Sequence, residues 1–242
     1  CIAFTYMLLS MPLLNTHVAL AGYADLFLGA AYCAALMAFH HWSLTGNRGQ
    51  ALMAVVFALC CPLIKNEGFF WLLTFLPALV VVLLPARLAL SILAAGLILL
   101  ALMLVFAPPD LALAGHSLSG LRLHFRPMAV PGIATSIWLQ DNWHLLGYLL
   151  SGLLILSIFP TRAGIARYRG IGMALLAAVT LFLVLFTFSR YSQRVGSFTA
   201  VGRISLQLAP GLMFLSFLLW NRLSERFPVG VRTVTGRSAV DN

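Results

Sequence analysis

The stretch that decides the fold is Lys65-Asn66-Glu67-Gly68, a polar tip between two apolar runs, 51–64 and 69–84. Its lysine and glutamate interrupt a region that carries no other charge from Gln50 to Pro85. A helix of the first run's length rises about 21 Å at about 1.5 Å per residue, whereas the hydrocarbon core of a bilayer is about 30 Å thick. The pattern therefore predicts a helical hairpin whose charged tip is recessed below a membrane surface. A charge at that depth costs about 2.5–3.5 kcal/mol and normally has a partner and a function.

The composition places the whole chain in the membrane class. Of its 242 residues, 62% are hydrophobic and only 9% are charged, and the mean hydropathy is +0.99. These values exclude an ordinary soluble domain. Because lipid offers no hydrogen-bond partner to the backbone, such long apolar runs must be helices. The net charge of +9 does not indicate nucleic-acid binding, since the arginines are scattered between apolar runs rather than clustered on one face.

We predict an all-α, polytopic transmembrane bundle of about eight spans, forming one domain over 1–242. The first run ends a helix at Leu14 and leads into a polar and small-residue segment, 15–24. Because Cys1 to Leu14 is too short to span alone, we expect a fragment that lacks its N-terminal spans and first outer loop. The other spans are predicted at 25–42, 51–64, 69–84, 88–106, 143–159, 171–188 and 204–220. Long polar loops are predicted at 110–136 and 189–203, the first of them on the outer face and over the site.

Lysine and arginine residues near the span ends predict the orientation. One side holds nine: Arg48, Arg87, Arg162, Arg167, Arg169, Arg222, Arg226, Arg232 and Arg237. The other side holds six: Lys65, Arg122, Arg126, Arg190, Arg194 and Arg203. The excess places the first set in the cytoplasm. The six outer cations are not explained by topology, so we interpret them as a set that holds something anionic.

Four of the six acidic residues fall on the same predicted outer side: Asp25, Glu67, Asp110 and Asp141. No acid occurs on a predicted inner loop between spans. Simpler roles stay open for several of these side chains. A carboxylate that opens a span, such as Asp25, is also favoured by the helix dipole, and Glu67 could form a structural pair with a nearby cation.

Two further groups of side chains also have simpler alternatives. His17 fits an interfacial or hydrogen-bonded histidine as well as a catalytic one. Arg190, Arg194 and Arg203 fit an ordinary solvated face.

Three motifs resemble those of bacterial GT-C integral-membrane glycosyltransferases. They are Tyr23-Ala24-Asp25-Leu26 at the head of a span, the tip Lys65-Asn66-Glu67-Gly68, and Gly202-Arg203-Ile204-Ser205-Leu206-Gln207-Leu208-Ala209-Pro210, in which Ile204 replaces the usual aromatic residue. The resemblance implies an enzyme of the bacterial cytoplasmic membrane. Such an enzyme transfers a sugar from a polyprenyl-phosphate or polyprenyl-diphosphate carrier to a glycan, lipid or protein acceptor on the outer face. The resemblance also implies that the main catalytic carboxylate lies in an outer loop before Cys1.

Glycosyl transfer needs a base for the acceptor hydroxyl and cations that stabilise charge on the leaving phosphate. We assign Asp25 and Glu67 to binding or orienting the acceptor or a metal. His17 is assigned to orienting an acidic side chain. Phosphate contacts are assigned to Lys65, Arg203, Arg190 and Arg194. The loop over the site contributes His116, Arg122, His124 and Arg126. The need for Mg²⁺ or Mn²⁺ is left open, because two carboxylates hold such an ion only with help from water and phosphate.

Three other functions are compatible with the sequence. A secondary transporter of an anionic solute would also use buried charges, but its paired broken helices predict a second copy of Lys-Asn-Glu-Gly, and the chain has one. A ligase that moves a lipid-linked glycan would use the arginine and histidine residues of the outer loop. A non-catalytic membrane subunit is the third. If the chain is a glycosyltransferase, one site on one membrane face should be surrounded by Asp25, Glu67, Lys65 and Arg203. A transporter would instead place its site near the midplane of the membrane.

Overall fold

The computed structural model is all-helical apart from one short strand pair. It describes residues 2–19, 24–106, 112–113, 116–117, 125–140, 143, 145–158, 166–188 and 199–226. The helices are α1 (Ile2–Leu9), α2 (Pro12–Ala19), α3 (Asp25–Thr45), α4 (Arg48–Ile64), α5 (Gly68–Leu73), α6 (Phe75–Leu83), α7 (Ala86–Phe106), α8 (Ala129–Ala134), α9 (Leu146–Ile158), α10 (Arg169–Phe188) and α11 (Thr199–Arg226). A π-helical turn occupies Thr135–Leu139 and a 3₁₀ turn Ala166–Tyr168. Strand β1 (Ala112–Leu113) pairs antiparallel with β2 (His116–Ser117).

Helices α3 and α4 form an antiparallel hairpin, in which α3 also packs against α11 and α10. Gly46 ends α3 in the left-handed conformation, with φ of 68°, which glycine adopts without a steric penalty. The side chain of Asn47 then caps α4 by accepting hydrogen bonds from the two backbone N–H groups of Gly49 and Gln50. This turn lies between the spans predicted at 25–42 and 51–64.

The polar tip separates α4 from α5. Lys65 leaves α4 in an extended conformation, and α5 begins at Gly68. A Cβ atom on Gly68 would overlap the carbonyl oxygen of Cys61, so the tip folds back on α4 only because this residue is glycine. The predicted fourth span is interrupted at a single residue, Thr74, between α5 and α6. Pro77 cannot donate a hydrogen bond to the carbonyl of Leu73, four residues earlier.

Helix α11 runs parallel to α3 at close range. A Cβ on Gly29 would lie 3.1 Å from the Cα and carbonyl oxygen of Gln207, and farther along the pair Leu36 lies against Gly211. Helix α10 packs against α6, α11 and α3. The core between these helices includes the fully buried Tyr32 and Phe186. This arrangement brings the beginnings of α3 and α11 to the same end of the bundle as the Lys65 tip.

Three predicted boundaries are wrong. The first predicted helix does not end at Leu14: it is interrupted before Pro12, which starts α2, and α2 continues through Asn15 to Ala19. The loop predicted at 110–136 ends early, since α8 begins at Ala129. The loop predicted at 189–203 also ends early, because α11 begins at Thr199. Arg203 therefore projects from a helix, where a long side chain can carry its charge away from an apolar face.

Among the described residues, two helices are long and apolar enough to cross a membrane, Arg169–Phe188 and Ala200–Glu225. A third qualifies if α1 and α2, which are bent by 58° at their junction, count as one span. Five further apolar stretches within the described residues have 10–17 residues each, among them Ala86–Leu102 of α7. The all-helical class is confirmed, and the long apolar helices are compatible with a membrane protein. The predicted count of eight spans is not reached by these criteria.

Candidate functional site

A fully buried aspartate stands where the polar tip meets the beginnings of α3 and α11. Asp25 has an exposed fraction of 0%. Its Oδ1 accepts hydrogen bonds from Lys65 Nζ at 2.6 Å and from Gln207 Nε2 at 2.5 Å, and its Oδ2 accepts one from Arg203 Nε at 3.0 Å. One carboxylate thus joins three segments that are far apart in the sequence. We call these four residues the Asp25 cluster.

The contacts of Asp25 bear on its alternative role as a helix cap. Asp25 is the first residue of α3, and Ala24 holds the capping position without a side-chain hydrogen bond. The oxygens of Asp25 bind side chains from the tip and from α11. The carboxylate can still interact favourably with the helix dipole, but its hydrogen bonds serve tertiary contacts.

Charge is nearly balanced around the cluster. Lys65 Nζ lies 2.6 Å from Asp25 and 3.4 Å from Glu67 Oε2, and Arg203 makes the third ion pair of the group. Burial of a carboxylate is costly unless it is paired and hydrogen-bonded, and Asp25 meets both conditions. The charged side chains around Asp25 are partly exposed: that of Lys65 is 21% exposed, that of Arg203 34% and that of Glu67 30%. The aspartate is therefore an internal anchor for charged groups that reach the surface.

Further buried polar side chains hold Gln207, and through it Asp25, in position. Gln207 is fully buried, and its Oε1 accepts a hydrogen bond from Trp71 Nε1 at 2.6 Å. Because the amide oxygen accepts from the indole, the amide nitrogen must point toward Asp25. The hydroxyl of Thr74 donates to the carbonyl of Trp71 at 2.6 Å and lies 2.8 Å from the hydroxyl of Tyr32. The network therefore connects α5, α3 and α11 around one carboxylate.

Sequence reasoning identified Asp25, Lys65 and Arg203 but missed Gln207 and Trp71. The available signal was an amide side chain within the otherwise apolar run that follows Ile204. Trp71 gave no such signal, because a tryptophan near the end of an apolar run also fits an interfacial belt.

The other predicted site residues fall into two groups. His17 is buried in α2, and its Nδ1 lies 2.9 Å from the carbonyl oxygen of Leu13. The backbone N–H of Arg126 donates to the carbonyl of Thr187, near the end of α10, and His116 pairs with Leu113 across the strand pair. Their predicted roles stay predictions. The second group lies outside the described residues: Arg122, His124, Arg190 and Arg194.

The donor set of the cluster does not fit a divalent cation. Within the described residues, no group of three or more histidine, cysteine, aspartate or glutamate side chains is placed to hold a metal. Both oxygens of Asp25 already accept from cationic or amide donors. Of the described carboxylates near the cluster, only Glu67 then remains, and it lies beside Lys65. Mg²⁺ and Mn²⁺ require several oxygen ligands, so we derive no step through a metal ion.

No family model, curated protein or solved structure matches this chain. The chemical capacity of the site follows from its own residues. Two partly exposed cations and one partly exposed carboxylate meet at the end of a helical bundle. Such a group can bind an oxyanion through Lys65 and Arg203 while Glu67 contacts a hydroxyl group.

Proposed function

We propose that this chain belongs to a membrane glycosyltransferase resembling the GT-C class. The enzyme would transfer a sugar from a polyprenyl-phosphate or polyprenyl-diphosphate carrier to an acceptor at the outer face of the bacterial cytoplasmic membrane. The observation that carries the proposal is the buried Asp25, which holds two surface-reaching cations at one end of the bundle. We include in the proposal the eight-span arrangement and the outward orientation of that end.

The position of the cluster along its helices supports a lipid-linked donor. Asp25 is the first residue of α3, Lys65 directly follows α4, and Arg203 lies close to the start of α11. The ends of membrane helices lie closer than their middles to the headgroup region, which is where the phosphate of a polyprenyl carrier resides. A transporter site is expected near the midplane, at breaks within helices. The helix-end position therefore favours the enzyme over the transporter.

Each residue of the group has a role in the proposed transfer. The acceptor oxygen attacks the anomeric carbon as the bond between that carbon and the phosphate oxygen breaks, so negative charge develops on the leaving phosphate. Lys65 and Arg203 stabilise that charge. Glu67, the exposed carboxylate beside them, contacts the acceptor hydroxyl and can accept its proton. Asp25 is a positioning residue, because its buried oxygens are occupied by the groups it orients.

Binding of polyprenyl phosphate by the full chain in lipid nanodiscs tests the proposal. We expect Lys65→Met and Arg203→Met each to weaken binding about tenfold or more, which corresponds to about 1.4 kcal/mol. Arg87→Met is the matched control: it removes one exposed cation from the beginning of α7, outside the cluster, and should leave the affinity unchanged. Unchanged affinity in the Arg203 variant, or equal binding of the uncharged polyprenol by the wild type, would contradict the proposal.

A further inference from the structure

A buried cation lies far from the Asp25 cluster, toward the other end of α11. Arg222 follows Arg203 by nineteen residues, which is about 28 Å along a helix. Its exposed fraction is 6%, and its Nε and Nη2 atoms are buried without a hydrogen-bond partner among the residues that the structure describes. An unpaired buried guanidinium is costly. Its surroundings should therefore indicate what satisfies it.

The two unsatisfied atoms lie along one edge of the guanidinium. The N–H groups on Nε and Nη2 point in the same direction, which is the fork that binds two oxygens of one phosphate or carboxylate group. Arg222 Cζ lies 5.8 Å from the centroid of the Tyr168 ring, within the range of a cation–π contact. This contact holds the guanidinium without using either of the two N–H groups.

A second buried nitrogen at the same place also lacks a partner. His40, near the end of α3, is 6% exposed, and its Nδ1 has no hydrogen-bond partner within the described part of the chain. Its ring stacks on Tyr168, with centroids 5.9 Å apart and planes inclined by 15°, and meets Phe214 edge to face. The imidazole and the guanidinium therefore both pack against one phenol ring, and both retain an unused nitrogen.

The charges around this position favour an anion. Arg167 and Arg169 flank Tyr168 with exposed side chains, and Arg169 donates to the carbonyl of Val82 at 3.3 Å. Among the described acidic residues, Asp25 and Glu67 belong to the opposite end. Glu225 is exposed and makes no ion pair with another described residue.

We propose that Arg222, with Tyr168 and His40, forms a second phosphate-binding site at the end of the bundle opposite the Asp25 cluster. The ligand chemistry is a phosphate group, either in the headgroup of an anionic lipid or as free phosphate. Arg222 binds two of its oxygens through the Nε–Nη2 edge, and Tyr168 holds the guanidinium in place. The site is independent of glycosyl transfer, so its failure would leave the proposed function untouched.

Thermal melting of the detergent-solubilised full chain tests this site. One arm adds inorganic phosphate against chloride at equal ionic strength. The other arm adds phosphatidic acid against phosphatidylcholine. At a hundredfold excess over Kd, we expect a rise in melting temperature of about 5–10 °C. A rise with both ligands identifies a site open to free phosphate, and a rise with phosphatidic acid alone identifies a lipid headgroup site.

Substitutions locate the effect. Arg222→Met, which keeps most of the side-chain volume, should abolish the rise, and Arg222→Lys should reduce it because the fork is lost while the charge remains. The matched control Arg87→Met should keep the full rise. No rise in the wild type with either anion would overturn the proposal. So would an undiminished rise in both Arg222 variants, and so would a rise that is lost in Arg203→Met but kept without Arg222. If Arg222→Met does not fold, the wild-type titration and the lysine variant decide.

Discussion

Replacing Asp25 with asparagine tests whether this residue anchors the cluster. The substitution keeps the shape of the side chain but removes its charge and one acceptor. If the amide oxygen continues to accept from Lys65 and Gln207, the amide nitrogen faces Arg203 Nε, now 3.0 Å away, and two donors oppose each other. The variant therefore loses one charge-assisted hydrogen bond outright and weakens two others.

The expected loss of stability in Asp25→Asn follows from how deeply the carboxylate and its partners are buried. Removing one partner of a fully buried ion pair costs about 3–5 kcal/mol. Here the carboxylate is buried, but Lys65 is 21% and Arg203 34% exposed, so water replaces part of what they lose. We therefore expect the free energy of unfolding to fall by about 2–4 kcal/mol, which is less than for a fully buried pair. For a chain of this size that corresponds to a fall in melting temperature of about 4–16 °C.

The assay is thermal unfolding in detergent, followed by tryptophan fluorescence, with Glu67→Gln as the matched control. Glu67 is a partly exposed carboxylate whose ion pair to Lys65 spans 3.4 Å, and such pairs contribute about 1 kcal/mol or less. Asp25→Asn should therefore lower the melting temperature more than the control does. The effect of Asp25→Asn should also be non-additive with that of Arg203→Met, because the two residues are in contact. Equal effects of the two carboxylate variants, together with strict additivity, would refute the anchoring role.

Two further substitutions test the neighbouring structure. Gln207→Leu should destabilise the protein by about 1–3 kcal/mol, because the buried Nε1 of Trp71 loses its acceptor; a melting temperature equal to that of the wild type would show that this hydrogen bond contributes nothing. Gly68→Ala should reduce the yield of folded protein sharply, since its Cβ would overlap the Cys61 carbonyl. Gly96→Ala, where nothing lies within 4 Å, should be neutral or stabilising, and equal yields for the two alanine variants would contradict the close contact at the tip.

The sequence predicted most of the helices, because a long apolar run without charges that is bounded by glycine, asparagine or proline is typical of a helix in a membrane protein. Gly46 and Asn47, between the spans predicted at 25–42 and 51–64, form such a boundary. The break at Thr74 was missed because its cause, Pro77, lies inside an apolar run and acts on a carbonyl four residues earlier. The early start of α11 was missed because Arg203 was read as a loop residue.

The charged residues of the site could be predicted from the sequence, but the role of Asp25 could not. Charges are so scarce in this chain that Asp25 and Lys65 were expected to meet, and they do. The role of Asp25 was not predictable, because whether a carboxylate faces a substrate or is enclosed by its partners depends on packing. The close approach of α3 and α11 at Gly29 encloses it here, and no local pattern indicates which two helices will approach so closely.

The most direct test of the central claim is a structure of the full chain in lipid nanodiscs with polyprenyl phosphate bound. The phosphate should lie within hydrogen-bond distance, about 2.7–3.1 Å, of Lys65 Nζ or of the Arg203 guanidinium, with Glu67 beside it. A phosphate bound at the middle of the bundle, or a carrier that makes no contact with either cation, would contradict the account.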